Sequence, residues 1–306
     1  MPPLKLSPLQ ARRVRVWSGL GYGLLGFFLY SEFSVLLCAV ALSYTTFALA
    51  HLPPSVPLVA LVGAAAFWFY TLERNLTLPP PEHCFSPQKR TWLLEHRPLN
   101  GFLLVLSFGI LLAFLPQLST LGLGSLVGLG LLAASYSLLR FPRAEAHLSW
   151  QGLKRFPWLK PILIAGVWIA LTLLLPFFES PLEIDWVRLG WLALVWAGWV
   201  FGNSFLFDLR DLKSDRQAGL QTLAGWLGNQ KTHRWVLALG LGNLGLAAGY
   251  GFWFQETWAA MALGSATLGV LAANRYLELQ GEAPLGFYLL VDLTLVLPSI
   301  CLSLFS

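Results

Sequence analysis

Charge is scarce in this chain: Asp, Glu, Lys and Arg make up 11% of its 306 residues, while 56% are hydrophobic. So thin a polar coat excludes a soluble globular domain, which could not hide that much apolar surface. It leaves a polytopic membrane protein. Cysteine is scarce as well. Cys38, Cys84 and Cys301 lie far apart, which excludes a disulfide framework and a cysteine-ligated metal. The histidines (His51, His83, His96, His147 and His233) show no pair at metal-ligand spacing, and no Ser-His-Asp arrangement can be built on them. The net charge of +5 does not point to nucleic acid, because the basic residues sit at the ends of apolar runs, where they set membrane orientation. No small-residue cleavage site closes the apolar run after the basic start, Met1 to Arg15, so no cleavable signal is expected.

What the chain does have is apolar runs. Nine candidate spans cover residues 33–51, 55–72, 101–117, 119–139, 160–178, 186–207, 235–253, 257–274 and 285–304. Each approaches the length of about 20 residues that a helix needs to cross the hydrocarbon. Segment 16–30 is apolar but shorter, and either extends the first helix or lies in the interface. The expectation is one all-α membrane domain over 1–306, with a basic amino-terminal segment at 1–32. With nine spans, every Lys and Arg except Arg188 falls on the side of the amino terminus. The positive-inside rule then places that terminus and the long loops in the cytoplasm. Small residues such as Gly19, Gly21, Gly23, Gly124 and Gly128 are expected to let helices approach closely.

The sixth span ends in Asn203-Ser-Phe-Leu-Phe-Asp208-Leu-Arg-Asp211-Leu-Lys-Ser-Asp215-Arg. At 100° per residue, Asp211 and Asp215 lie about 60° and 20° from Asp208 on one helix face. Three like charges there repel, and a divalent cation removes the repulsion. Hard oxygen ligands on one face suit magnesium, which commonly holds substrate phosphates as well.

This run, continuing through Gly219-x-x-Thr222 and Gly225-Trp-Leu-Gly228, resembles the second aspartate motif of the UbiA superfamily of intramembrane prenyltransferases. Tyr136-Ser137 and Leu153-Lys154-Arg155-Phe-Pro157 are similar to that family's basic loop between the fourth and fifth helices. The resemblance implies a nine-transmembrane-helix UbiA-type bundle. It also implies two aspartate-rich motifs, ending the second and sixth helices, that bind Mg2+ and an isoprenoid diphosphate. The first motif is degenerate here: the second span closes with Phe69-Tyr70-Thr71-Leu72-Glu73-Arg74-Asn75, which has one carboxylate and no Asn-Asp pair.

The resemblance therefore makes Asp208, Asp211, Asp215 and Glu73 the metal and catalytic candidates. Read from its neighbours alone, Glu73 is equally an interfacial partner of Arg74. Lys154, Arg155, Arg90 and Arg216 are candidates for contact with diphosphate oxygens, as are Lys89, Arg97 and Lys160. The alternative role for these bases is topology and lipid headgroups. Arg210 and Lys213 point away from the aspartate stripe, at about 200° and 140° from Asp208. Tyr136 joins the substrate candidates through the loop resemblance. Asp292 joins them because it lies roughly 10 Å inside the last span, at a helical rise of 1.5 Å per residue. Its alternative is a hydrogen-bonded acid bracing the bundle. Trp68, Trp168, Trp196, Trp199, Phe201 and Phe205 either flank a prenyl chain or pack the bundle.

The functional expectation is Mg2+-dependent transfer of an isoprenoid chain from its diphosphate to an aromatic or other lipophilic acceptor, with membrane lipids as surroundings. A different class stays open: a non-catalytic lipid- or pigment-binding module, or a subunit of a membrane complex. Charge asymmetry makes the topology testable. Reporter tags at the amino terminus and within 140–160 should read cytoplasmic, and a carboxyl-terminal tag should read the opposite face. A cytoplasmic carboxyl terminus would mean that 16–30 spans, or that one of the nine runs does not.

Overall fold

The structure, a computed structural model, describes residues 26–28, 30–76, 87–138, 158–217, 222–280 and 287–305. Among them the chain is helical throughout. The helices are α1 (Phe33–Leu49), α2 (Val56–Leu76), α3 (Pro87–Glu95), α4 (Arg97–Phe114), α5 (Thr120–Leu138), α6 (Leu159–Ile169), α7 (Trp186–Gln217), α8 (Leu223–Leu227), α9 (Asn229–Phe254), α10 (Thr257–Gln280), α11 (Phe287–Thr294) and α12 (Leu297–Phe305). Five helical stretches are long and apolar enough to cross a membrane: Val56–Leu76, Arg97–Gln117, Leu159–Phe178, Trp186–Leu212 and Asn229–Phe254. Phe33–Leu49, Thr120–Ser135 and Leu289–Leu304 are apolar but shorter. The chain is a multi-pass integral membrane protein.

Neighbours in sequence are neighbours in space. Contacts run from α1 to α2, α2 to α4, α6 to α7, α7 to α9, α9 to α10, and α10 to α12. The last pair, α11 and α12, returns to α1 and closes a ring. Lipid tails are as apolar as leucine, so burial of side chains does not drive this association. Close packing and interhelical hydrogen bonds do. Gly198 on α7 shows the packing part, since a Cβ there would sit 2.5 Å from the side chain of Asn243 on α9. Asn243 in turn donates to the Val195 carbonyl at 3.2 Å and to Thr267 Oγ1 on α10 at 3.2 Å. Gly124 and Gly128, expected to mediate close approach, have no neighbour within 4 Å of such a Cβ among the described residues. They lie on the outer face of α5, so the spacing rule identified small residues but not the surface they serve.

Two irregular turns have identifiable causes. After Ile169 the helix widens into a π turn at Ala170–Leu174 before its last turn, Leu175–Phe178. The Thr172 carbonyl accepts a bond from Thr46 Oγ1 on α1 at 2.7 Å, and Thr172 Oγ1 accepts one from Trp196 Nε1 at 3.2 Å. Pro176 has no N–H to give the Thr172 carbonyl, and the Thr46 hydroxyl on α1 satisfies it instead. The final span breaks between α11 and α12, where Pro298 has no N–H to give the Thr294 carbonyl. Asn203 Nδ2 on α7 spans the break, bonding the Val291 carbonyl and Thr294 Oγ1, each at 3.4 Å.

At the end of the bundle away from the aspartates, Arg188 ties four chain segments together. Its guanidinium donates to the Leu49 carbonyl, to Tyr250 Oη at 2.9 Å and to Glu256 at 2.8 Å, and stacks 4.3 Å over Phe254. Tight packing predicts a specific sensitivity. Gly198→Val should cost about 1–3 kcal/mol through overpacking against Asn243, whereas Gly124→Ala should leave stability unchanged. Thermal unfolding in detergent measures both, and equal shifts would mean that the Gly198 contact is not tight.

Candidate functional site

Helix α7 continues past its apolar part to Gln217, so all three aspartate positions fall on one unbroken helix. Asp208 is fully buried. One of its carboxylate oxygens accepts a salt bridge from Lys160 at the start of α6, and the other, Oδ2, is buried with no hydrogen-bond partner among the described residues. One turn on, Asp211 takes a fork from Arg210, with Nε and Nη2 each 2.5 Å from an Asp211 oxygen. Arg210 therefore does not snorkel away from the stripe as its helical angle suggested. A flexible side chain bends back to its neighbour and lies 4.9 Å over the Phe207 ring. Asp215 follows in the helical backbone of α7.

The other wall comes from the start of α1, the end of α2 and the loop helix α3. Glu32, just outside the first span, is nearly buried and accepts two cations on the same oxygen, Arg74 Nε at 3.1 Å and Lys89 Nζ at 2.7 Å. Burial alone would raise the Glu32 pKa. Lys89 and Arg74 outweigh that and hold it at about 2, below the usual 4.5. The sign follows directly: the triad contributes its full stability above about pH 4.5 and loses it as pH falls through about 2. Lys89 is shifted down from its ordinary value, first by burial and then by the nearby charge of Arg74, with Glu32 opposing both.

The two walls share one field. Arg74 lies within electrostatic range of Glu73 and Asp211 as well as Glu32, and Arg210 reaches Lys89, Asp208 and Asp292. Asp292 enters from α11, where its Oδ2 accepts a bond from Ser34 Oγ at 2.7 Å and its backbone carbonyl one from Cys38 Sγ at 3.1 Å. The acid inside the last span is thus also the point at which α11 is fastened to α1, closing the ring.

Of the residues singled out in the sequence, Asp208 and Asp292 have partners on other elements, Lys160 and Ser34, Asp211 is bonded to Arg210, and Glu73 lies near the end of α2 beside Arg74. Arg90 is half-buried on α3 and Arg216 is exposed beyond the aspartates. Tyr136 lies in the helical backbone of α5, while Lys154 and Arg155 lie outside the described residues. Arg74 is bonded to Glu32, a partner from outside its own helix that the sequence reading did not consider. Trp196 and Trp199 are fully buried, and Trp199 Nε1 bonds Thr267 at 2.9 Å, so they pack the bundle. Trp168 Nε1 bonds Tyr70 Oη on α2 at 3.0 Å. Sequence reasoning passed over Glu32 and Ser34. The available signal was the only acid between Met1 and Glu73, placed at the mouth of the first apolar run.

Among the described residues, no three His, Cys, Asp or Glu side chains converge closely enough to hold a metal ion. The donor chemistry nevertheless suits a hard cation at one point, because Asp208 Oδ2 is a buried carboxylate oxygen with no donor.

No family model and no curated protein matches the sequence. Solved structures do. A UbiA homologue from Aeropyrum pernix K1, determined in the apo state, superposes with a TM-score of 0.60 at 15% identity, covering 87% of this chain and 96% of that one. A UbiA homologue from Archaeoglobus fulgidus, bound to GPP and Mg2+, gives 0.60 at 11% identity over 90% of this chain and 99% of that one. A digeranylgeranylglyceryl phosphate synthase structure gives 0.51 at 12% identity, covering 90% and 95%. The chain has the UbiA fold. Lys160 tests how the buried Asp208 is neutralised. Lys160→Met should destabilise the protein by roughly 3 kcal/mol, because it leaves the Asp208 charge buried and alone. Adding Asp208→Asn should recover most of the loss in thermal unfolding, and no recovery would mean that the pair is not coupled.

Proposed function

We propose that the chain is a membrane prenyltransferase that binds an isoprenoid diphosphate with Mg2+ and passes its prenyl chain to an aromatic or other lipophilic acceptor. The observation that carries this reading is the buried Asp208, with one oxygen in a salt bridge and the other lacking any donor among the described residues, on a helix that continues through Asp211 and Asp215. A structure of the same fold solved with GPP and Mg2+ supports it. Asp208, Asp211, Asp215 and Glu73 would hold the metal. When bound, Mg2+ would supply Lewis-acid charge to the departing diphosphate.

The residues of the chain do the rest. Lys160 and Arg210 neutralise Asp208 and Asp211 at rest, and both can swing to phosphate oxygens when those carboxylates take a cation. Charge is conserved in the exchange, so the low-dielectric mouth never carries a bare carboxylate stripe. Cations positioned on the leaving diphosphate favour allylic C–O cleavage, because they act where negative charge develops. Capture of the allylic cation by the acceptor then forms the new bond. The charge asymmetry of the sequence supports a cytoplasmic opening for this mouth.

One observation favours the second reading, a non-catalytic binding module. Glu32, Asp208 and Asp211 are all already paired with cations of the protein, so none of them requires a metal for neutrality. Calorimetry separates the two readings. Geranylgeranyl diphosphate should bind the purified protein in Mg2+ and not in excess chelator, and Asp208→Asn or Glu73→Gln should abolish prenyl transfer without unfolding the protein. Equal binding with and without Mg2+ would remove the metal from the proposal, and intact turnover in both variants would remove these residues from it.

A further inference from the structure

The Glu32–Arg74–Lys89 triad is unusual in what occupies the place of the first aspartate motif. The residue after Glu73 is an arginine, and the loop helix α3 adds a lysine to the same wall. Two cations converge on a single oxygen, Glu32 Oε1, so the triad alone carries a net positive charge. Arg74 and Lys89 are not sealed: their side chains are 36% and 23% exposed, against 9% for Glu32. Near them in the chain are two buried hydroxyls with no hydrogen-bond partner among the described residues, Ser31 Oγ next to Glu32 and Thr71 Oγ1 one turn before Arg74. Two partly exposed cations converging on one point from two chain segments are the chemistry of an anion site.

We propose that Arg74 and Lys89 form a metal-free anion clamp that takes phosphate oxygens of the substrate diphosphate directly, and that Glu32 is its resting counter-ion, displaced when the diphosphate arrives. This rests on the proposed diphosphate reading and adds to it: the wall opposite Asp208 binds through the protein's own cations, where the degenerate motif supplies only one carboxylate. Arg74 lies within electrostatic range of Asp211 on the aspartate helix. A diphosphate there accepts hydrogen bonds from Arg74 and Lys89 on one side while its metal contacts the aspartates on the other. Glu32, released from both, turns outward from its nearly buried position so that water keeps it ionised. No bond is made or broken in this exchange.

The clamp makes a prediction that a purely structural triad does not. Arg74→Gln and Lys89→Gln should each weaken geranylgeranyl diphosphate binding by about tenfold, the scale of one charge-assisted hydrogen bond. Glu32→Gln should tighten it, because the internal competitor loses its charge. Lys89→Arg should restore binding. All variants are compared in Mg2+ by calorimetry, with thermal unfolding as a check that each is folded. Inorganic pyrophosphate and phosphatidylglycerol nanodiscs are run alongside, since lipid headgroups carry the same phosphate chemistry. Weaker binding in Glu32→Gln that is folded, or Mg2+-dependent prenyl diphosphate binding indifferent to all three positions, overturns the clamp and leaves the transferase reading intact. Effects confined to phosphatidylglycerol overturn it in favour of a lipid site. Pyrophosphate binding that follows the predicted pattern, with no binding of the prenyl diphosphate, upholds the clamp and removes the transferase reading.

Discussion

An isolated ion in hydrocarbon costs several kcal/mol even after relaxation, more than any single packing contact returns. Among the described residues, three buried or nearly buried charges are accordingly met by partners from another segment. Asp208 on α7 is answered by Lys160 on α6, Glu32 before α1 by Arg74 on α2 and Lys89 on α3, and Arg188 on α7 by Glu256 beyond α9. These pairs are not decoration on a ring that would form regardless. Lipid tails compete equally for apolar side chains, so polar and ionic contacts are what distinguish the right helix neighbour from a wrong one. Ser34 to Asp292 closes the ring by the same logic with a neutral donor.

The two ends of the bundle use that constraint differently. At the end away from the aspartates, Arg188 is almost saturated, with a backbone carbonyl, a phenol, two carboxylates and an aromatic face around one guanidinium. That arrangement suits a clasp. At the other end the cations are partly exposed. Asp208 keeps a bare oxygen, and Arg74 and Lys89 share one. Under-satisfied groups at low dielectric are costly. They persist where a ligand completes them.

Much of the fold was legible before the structure. Apolar run lengths located the helices but not their polar ends, as with 55–72 against Val56–Leu76 and 257–274 against Thr257–Gln280, because hydrocarbon thickness and backbone hydrogen bonding fix only the apolar part. The break in the last span was not legible from run length, although Pro298 carried its signal. Helical angles gave the faces of Asp208 and Asp211 but misjudged Arg210, whose long side chain is free of its Cβ direction. Gly124 and Gly128 have the right spacing for an interface and face none within the chain, since spacing specifies a face and not its neighbour. Glu32 was missed because ion pairing across residues 32, 74 and 89 is tertiary information that no local pattern encodes.

The degenerate first motif changes meaning once Glu32, Arg74 and Lys89 are seen together. Read as a lost metal site, Glu73-Arg74 argues for a protein that has given up its chemistry. Yet what a diphosphate needs opposite Asp208 is positive charge, and a divalent cation is only one way to supply it. An arginine and a lysine held near the same place supply it permanently, with a carboxylate that offsets half of their charge until they are used. Such a wall is cheaper to maintain in a membrane than an unfilled cluster of aspartates, which would repel one another whenever metal was scarce. The departure from the two-aspartate pattern is therefore compatible with retained binding of a diphosphate. It shifts part of the charge from a dissociable ion to side chains that the fold already holds in position.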